Sequence, residues 1–197
     1  MMLKKILGTP ILLGSQSPRR RNLMAQLGFT NIRTAVAQAE ETFPESLPAK
    51  EIPEYLARQK AVELLSHKQP GELLITADTM VFLGEEILGK PQSELDAKLM
   101  LKKLSGKTHR VITGVCLAKE NELKTFSEVT EVTFSALSKE EIDYYVENFK
   151  PMDKAGSYGI QEWIGYIGIE KLNGCYYNVM GLPLHRLYEE IKKSTPQ

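Results

Sequence analysis

The sequence predicts an α/β fold, and two observations support this fold class. Segments typical of strands alternate with segments typical of helices along most of the chain, as they do in α/β domains. The chain has 197 residues without an internal repeat or a long polar linker. At roughly 150 residues per domain, this length corresponds to one domain. We therefore expect a single α/β domain over residues 1–197.

The first half of the chain predicts two strands and two helices. Residues 11–14 are a short apolar run typical of a buried strand. Ser17 and Pro18 suit the N-cap and first position of a helix, and Gly28 suits its end. A second helix is expected over residues 53–66, followed by a strand over residues 73–78 that is buried on both faces and ends at a carboxylate.

The second half predicts three further helices. Residues 93–96 resemble a capping box that opens a helix ending before Gly106, and residues 138–141 form a second such box. Pro183 suits the start of a final helix.

The same half predicts four strands. Residues 111–118 and 125–134 have the composition of strands. Residues 163–172 and 175–179 flank Asn173-Gly174, a dipeptide that favours a tight hairpin turn. We therefore expect a hairpin there.

Composition and motifs exclude several classes of protein. Lysine plus arginine and aspartate plus glutamate each total 25, so no basic excess favours nucleic acid. Cys116 and Cys175 form no CxxC pair, which argues against a disulfide framework or a zinc site and favours a reducing cytosol. No apolar run approaches the roughly 18 residues of a membrane span. We expect a cytoplasmic protein without nucleic-acid or membrane partners, and its sequence lacks the common nucleophile and phosphate-loop motifs.

A basic cluster lies at the predicted start of the first helix. Arg19, Arg20 and Arg21 would all fall in its first turn, where the helix dipole disfavours cations. An anion such as phosphate would compensate, because free backbone N–H groups and arginines can both donate to it. The alternative is a solvated basic turn paired with nearby acids, and Arg21 in particular is expected to be solvated.

Acidic residues offer candidate metal ligands. Asp78 is predicted at the end of a strand, where α/β sheets commonly bind ligands. Glu41, in the pair formed with Glu40, could add a second oxygen ligand for Mg²⁺. The alternatives are an aspartate that caps a turn and an acidic pair that is simply solvated.

Three lysines are candidate anion ligands. Lys60 falls on the apolar face of the predicted helix, so it either extends its stem to water or reaches an anion. Lys90 and Lys154 lie in predicted loops, which can approach a ligand closely, although for each taken singly an exposed lysine is the stronger alternative.

Together these segments resemble the Maf proteins, a family of nucleoside triphosphate pyrophosphatases. The resemblance covers nearly the whole chain, and its blocks occur in the family's order. They are SQSPRR (residues 15–20), EE (40–41), ARQKA (57–61), ADT (77–79), GKP (89–91), LSGKTH (104–109), DKAGSYGIQ (153–161) and VMGLP (179–183).

The resemblance implies a mixed central sheet flanked by helices, with two lobes and a cleft, related to the inosine triphosphate pyrophosphatases. It also implies hydrolysis of a nucleoside triphosphate to its monophosphate and pyrophosphate with a divalent cation, Mg²⁺ or Mn²⁺. The expected partner is thus a small nucleotide, and a homodimer is left open.

Site residues follow from the same resemblance. Asp78 would activate water and, with Glu41, hold the metal. The substrate would be bound by Ser15, Ser17, Arg19, Arg20, Lys60, Thr79, Lys90, Lys154 and Gln161.

Base preference is also implied by the resemblance. The blocks match the branch that acts on dTTP and UTP, in which Arg19, Thr79 and Gln161 would set specificity. One departure concerns Glu162, because many relatives have glycine at that position, and this bears on the base pocket. Two alternatives to the main hypothesis are a nucleotide-responsive regulator of cell division with incidental hydrolysis, and an inosine/xanthosine triphosphate pyrophosphatase.

Overall fold

A computed structural model describes residues 2–38, 41–120 and 122–194. Glu40, one member of the predicted acidic pair, lies outside these residues. Within them, no helix combines the length and the apolar character required to cross a bilayer.

The strands form a mixed sheet, as predicted. β1 pairs in parallel with β2 and with β3, whereas β3–β4 and β6–β7 are antiparallel. The strand order is β2-β1-β3-β5-β6-β7, with β4 paired to β3. The bounds are β1 (Ile11–Gly14), β2 (Ile32–Ala35), β3 (Leu73–Leu83), β4 (Glu86–Leu88), β5 (Thr108–Lys119), β6 (Glu122–Phe134) and β7 (Ile169–Asn173).

The helices include every one predicted, with ends shifted by a few residues. They are α1 (Met2–Leu7), α2 (Pro18–Gln26), α3 (Ile52–Leu64), α4 (Glu94–Leu104), α5 (Lys139–Phe149), α6 (Trp163–Gly168), α7 (Tyr176–Val179) and α8 (Leu184–Ser194). The helix α5 begins with the complete capping box of Ser138 and Glu141. At α4 only half of the predicted capping box forms. The Ser93 hydroxyl accepts from the Asp96 N–H, as a capping box requires, but the Asp96 carboxylate accepts from the N–H of Gln92 and not from that of Ser93.

The described residues fall into two compact units. Unit 1 lies within Met1–Asp78, Thr113–Glu128 and Gly181–Gln197, and unit 2 lies within Thr79–Ile112 and Val129–Met180. Each unit has a hydrophobic core of its own.

In unit 1 the helix α3 packs closely against the sheet. Ala57, Ala61 and Leu64 are fully buried beside strand residues such as Leu74. At Gly114 on β5, a Cβ atom would lie 2.2 Å from the backbone of α3, so only glycine allows this approach. The helix is therefore fixed in position from its first turn onward.

In unit 2 the helices α4 and α5 cover the sheet. Leu101, Leu104, Tyr145 and Val146 from these helices are fully buried in one cluster with Phe134 of β6. This cluster also supports the glycine-rich segment through Tyr158 and Ile160, which are nearly as buried.

The predicted hairpin around Asn173-Gly174 is wrong. Residues 163–168 are helical, β7 pairs with β6 instead, and residues 176–179 form α7. The reason is the side chain of Thr130, whose hydroxyl accepts from the Cys175 N–H and donates to the Cys175 carbonyl. These bonds take the backbone groups that a returning strand would need, so a long-range contact overrides the local turn signal.

The strand ending at Asp78 is also a wrong prediction, because β3 continues to Leu83. Residues after Asp78 remain extended since Val81 to Leu83 pair with β4, a short strand that the sequence analysis did not predict. The burial of Leu73 to Ala77 on both faces is confirmed. Also unpredicted were α1 and β2.

Candidate functional site

The turn between β1 and α2 is organised by two serines. Ser17 is the N-cap of α2, and its hydroxyl accepts from the Arg20 N–H at 3.4 Å. The Ser15 hydroxyl accepts from the Ser17 N–H at 3.1 Å. The predicted helix start is confirmed, and both hydroxyls are used to shape the turn.

Arg20 reaches from this turn into the body of unit 1. Its Nε donates to the Gly181 carbonyl and its Nη1 to the Ala77 carbonyl, each at 2.8 Å. Burial lowers the pKa of its guanidinium, an effect that Asp78 and Glu41 oppose and Arg19 reinforces. Arg20 is therefore a fixed positive charge within electrostatic reach of both predicted metal ligands.

The other two arginines differ from Arg20. Arg19 is half-buried and adds positive charge to the same turn, as its effect on Arg20 indicates. Arg21 is exposed, as predicted.

Lys60 contacts two carboxylates of unit 1. It lies on α3 at the centre of the buried face, with 16% of its side chain exposed, and its Nζ is 2.7 Å from Asp78 Oδ1 and 2.7 Å from Glu41 Oε1. Asp78 is 10% exposed and Glu41 is 56% exposed at the side chain. The sequence left open whether this lysine extends to water or reaches an anion, and the structure has it paired with these two acids.

The resulting cluster joins three parts of the chain. Asp78 comes from β3, Lys60 from α3, and Glu41 from the segment between β2 and α3. Thr76 ties the first two elements, since its buried hydroxyl donates to the Ala57 carbonyl at 2.6 Å. Within the described part of the chain, no group of three His, Cys, Asp or Glu side chains is arranged to hold a metal ion unaided.

The remaining predicted residues belong to unit 2. Thr79 follows Asp78 on β3 and is half-buried, and Lys90 is exposed in the turn after β4. That turn lies against the glycine-rich segment, because the Gly156 N–H donates to the Gly89 carbonyl at 3.0 Å. Two of the family-like blocks, GKP and DKAGSYGIQ, therefore meet.

Lys154 is the most buried of the predicted lysines. Its side chain is 9% exposed, and Nζ lies 2.8 Å from Asp153 Oδ1 and 3.1 Å from Glu162 Oε1. The backbone then passes through positive φ at Gly156 (69°) and Ser157 (62°), a conformation that a serine adopts only when its surroundings enforce it. The segment from Lys154 to Ile160 is thus tightly held.

Gln161 carries an unused hydrogen-bond acceptor. Its side-chain Oε1 is buried and has no hydrogen-bond partner among the residues that the structure describes. Buried polar atoms are nearly always paired, so an unpaired amide oxygen marks a place where a ligand donor would be favourable.

Sequence reasoning missed three residues that support this segment. Tyr145 is fully buried and bonded to Glu162 and Gly159. His109 is buried, with Nε2 2.7 Å from the Tyr158 hydroxyl, and burial lowers its pKa to about 4. For Glu162 the sequence indicated only that the residue differs from the glycine of many relatives. The aromatic positions on α5 were the available signal, but spacing alone could not show their partners.

Comparison with known proteins agrees with the resemblance. The family described as "Maf-like protein" matches residues 10–194. A protein named dTTP/UTP pyrophosphatase from Phocaeicola vulgatus is 55% identical over 98% of this chain and 100% of its own length. A protein of the same name from Bacteroides thetaiotaomicron is 51% identical over 93% of this chain and 95% of its own.

A solved structure is similar in fold. The Staphylococcus aureus Ham1 protein matches with a TM-score of 0.54, covering 94% of this chain and 100% of that one at 14% identity. At this identity the likeness concerns the fold alone. The predicted fold class, a mixed central sheet flanked by helices, is confirmed.

Proposed function

Because this chain belongs to the Maf family, we propose that it is a pyrophosphatase that hydrolyses dTTP and UTP. The products would be the nucleoside monophosphate and pyrophosphate. The observation that carries the proposal is the meeting of Asp78 and Glu41 at Lys60 Nζ, with the fixed charge of Arg20 nearby. Phosphate hydrolysis needs acidic groups for water or a metal and basic groups for the phosphates, and this cluster has both.

In the proposed reaction Asp78 accepts a proton from water as the water oxygen bonds to the α-phosphorus. The bond from that phosphorus to the oxygen bridging to the β-phosphorus breaks, and pyrophosphate leaves with the electron pair. Lys60, Arg19 and Arg20 are proposed to neutralise phosphate charge, with Ser15 and Ser17 shaping the turn that carries the arginines.

A divalent cation is part of the proposal, with Asp78 and Glu41 as its ligands. Mg²⁺ in phosphate-transfer sites prefers one or two carboxylates together with substrate phosphates. The donor set fits this pattern, because both carboxylates approach a common positive centre, Lys60 Nζ, within 2.7 Å. When bound, the ion would neutralise negative charge on the phosphates.

For the base, the proposal assigns recognition to Gln161 with Thr79 and Arg19. Uracil and thymine present O4 and N3–H side by side, and a glutamine amide can pair with both. The buried and unpaired Oε1 of Gln161 supports this role, since it is an acceptor that suits an N3–H donor. Lys90 and Lys154 complete the proposed substrate-binding set.

The test is release of pyrophosphate from UTP, dTTP, CTP, GTP and ITP, each with Mg²⁺, Mn²⁺ or EDTA. We expect turnover of UTP and dTTP with either metal and none in EDTA. Preference for ITP or GTP would overturn the pyrimidine assignment while leaving the reaction type. Saturable nucleotide binding without turnover would overturn the proposed activity in favour of a binding protein.

A further inference from the structure

Glu162 is the centre of a hydrogen-bonded network within unit 2. Its Oε1 pairs with Lys154 Nζ at 3.1 Å, and its Oε2 accepts from the Tyr145 hydroxyl at 2.5 Å. The Tyr145 oxygen in turn accepts from the Gly159 N–H at 3.0 Å. One carboxylate thereby connects the beginning of the Lys154–Gln161 segment, its middle and the helix α5.

The fit around this carboxylate is close. A Cβ atom at Gly159 would lie 2.7 Å from Glu162 Cδ and 2.9 Å from Oε2, so a side chain at this position would displace the Glu162 carboxylate from its present place. The backbone of Glu162 adds to the arrangement, because its N–H donates to the Gly159 carbonyl and its carbonyl accepts from the Gly165 N–H. Glu162 is thus bonded through both its side chain and its main chain.

The segment that this network closes contains Gln161. Among the described residues no hydrogen bond joins a Glu162 oxygen to the Gln161 amide, and the Gln161 Oε1 stays buried without a hydrogen-bond partner there. The network therefore fixes the backbone on both sides of Gln161 without taking up the hydrogen-bonding capacity of its buried Oε1. Holding a recognition group in one geometry before the ligand arrives reduces the entropic cost of binding.

We propose that Glu162 is a positioning residue for pyrimidine nucleotide recognition. It acts through the Lys154 ammonium and the Tyr145 hydroxyl, which together hold the Lys154–Gln161 segment. The inference rests on the proposed function, since it takes a pyrimidine nucleotide as the ligand of this segment. It predicts a defect in binding UTP and dTTP rather than in the chemical step.

Two variants test the network from opposite sides. Glu162→Gln removes the charge that pairs with Lys154 but keeps the size of the side chain. Tyr145→Phe removes the hydroxyl that bridges Glu162 and Gly159 while keeping the ring in the core. Glu147→Gln is the matched control, because Glu147 is an ion-paired carboxylate on α5 that is 58% exposed.

The fluorescence of Trp163 provides the signal for the binding experiment. This residue is the single tryptophan of the chain, it follows Glu162 directly, and its ring packs edge-on against Tyr144 at 4.8 Å. The experiment titrates each protein with UTP and with GTP in EDTA, following Trp163 emission, and then measures kcat and KM with Mg²⁺.

For Glu162→Gln and Tyr145→Phe we expect Kd and KM for UTP to rise on the order of 10-fold, the scale of one charge-assisted hydrogen bond. The kcat should stay within about 3-fold of wild type, and GTP binding should change less. The control should match wild type throughout.

Several results would overturn the proposal. One is an unchanged affinity for UTP in both folded variants, and another is a decrease that affects only kcat. A third is loss of cooperative unfolding in both variants, which would mean that the network has a purely structural role. If wild type hydrolyses UTP in these cases, the proposed function stands and only the inference fails. If wild type neither binds nor hydrolyses UTP, the proposed function fails and the inference falls with it.

Discussion

In unit 1 three predicted site residues form one ion-paired cluster, whereas in unit 2 the predicted site residues lie mainly on loops, where the ion pair of Lys154 and Glu162 joins a network of buried hydrogen bonds. The side chain of Lys60 forms ion pairs with both Asp78 and Glu41, and the cluster is partly exposed. In unit 2, Lys154 is enclosed beside Glu162, and Gln161 has a buried acceptor. We infer that the cluster in unit 1 acts on the charge of the phosphates, and that the network in unit 2 holds the segment that contains Gln161. We therefore expect changes in unit 1 to act mainly on kcat and changes in unit 2 mainly on KM.

The largest effect should come from Asp78→Asn. This change keeps the size of the side chain but removes both the charge and the proton acceptor. We expect kcat with UTP to fall by at least about 100-fold, the scale of a lost general base. Pyrophosphate release under saturating UTP measures it, and circular dichroism checks the fold.

The matched control is Asp143→Asn in unit 2. Asp143 is also an ion-paired carboxylate, with Lys98 and Lys139, but it belongs to the surface of α5. Its variant should keep wild-type kcat. A folded Asp78→Asn protein with near-normal kcat would show that the charge in unit 1 is not what drives the reaction.

The next effect concerns Lys60→Met. Methionine preserves the apolar stem of the side chain on α3 but leaves Asp78 and Glu41 without their shared ammonium. We expect kcat/KM for UTP to fall by about 10- to 150-fold, the range of one charge-assisted hydrogen bond. Steady-state kinetics over a range of UTP concentrations gives the value.

Arg21→Ala serves as the comparison for Lys60→Met, since Arg21 is exposed in the same unit. It should change kcat/KM little. An unchanged kcat/KM for Lys60→Met, together with a more stable protein, would mean that the lysine serves only to balance the two acids.

A smaller effect is expected from Gln161→Ala in unit 2. Removing the amide removes both the donor and the acceptor proposed to pair with uracil or thymine. We expect kcat/KM for UTP and dTTP to fall by about 5- to 150-fold, mostly through KM, with a smaller change for GTP. Equal losses for all nucleotides would instead indicate that Gln161 supports the loop and does not read the base.

Local sequence signals predicted much of unit 1. The N-cap at Ser17 and the buried face of α3 follow from interactions between residues at most four apart, which a sequence pattern records directly. The partners of the charged side chains could not be predicted in this way. Arg20 bonds to Gly181, which is 161 positions away, and only the folded sheet brings the two together.

Unit 2 contains both cases, since the capping box of α5 is confirmed but another strong local signal misled. The Asn173-Gly174 dipeptide favours a hairpin, but Thr130 binds the backbone of Cys175 and the chain turns into α7. The network of Glu162 and Tyr145 likewise depends on a contact between a helix and a loop. Such contacts leave no periodic pattern in the sequence. The sequence could therefore place Gln161 on a loop, but it could not show which residues hold that loop.

The last expected effect concerns His109 in unit 2 and is on stability, with the least consequence for activity. This residue is buried beside Tyr158 and Phe134, and burial lowers its pKa to about 4 from an ordinary value of 6.5. Between pH 6.5 and pH 4 the unfolded chain therefore binds a proton at His109 that the folded protein does not. Its contribution to stability is complete above pH 6.5 and declines as the pH falls towards 4.

His109→Gln removes this titration while its amide can still bond to the Tyr158 hydroxyl. Relative to the variant, wild type should lose about 2 kcal/mol of unfolding free energy between pH 7 and pH 5, as measured by urea denaturation. His67→Gln is the control, because His67 is exposed in unit 1, and its variant should keep the wild-type pH profile. Parallel profiles for wild type and His109→Gln would contradict the prediction and mean that His109 gains a proton without disturbing the packing beneath the glycine-rich segment.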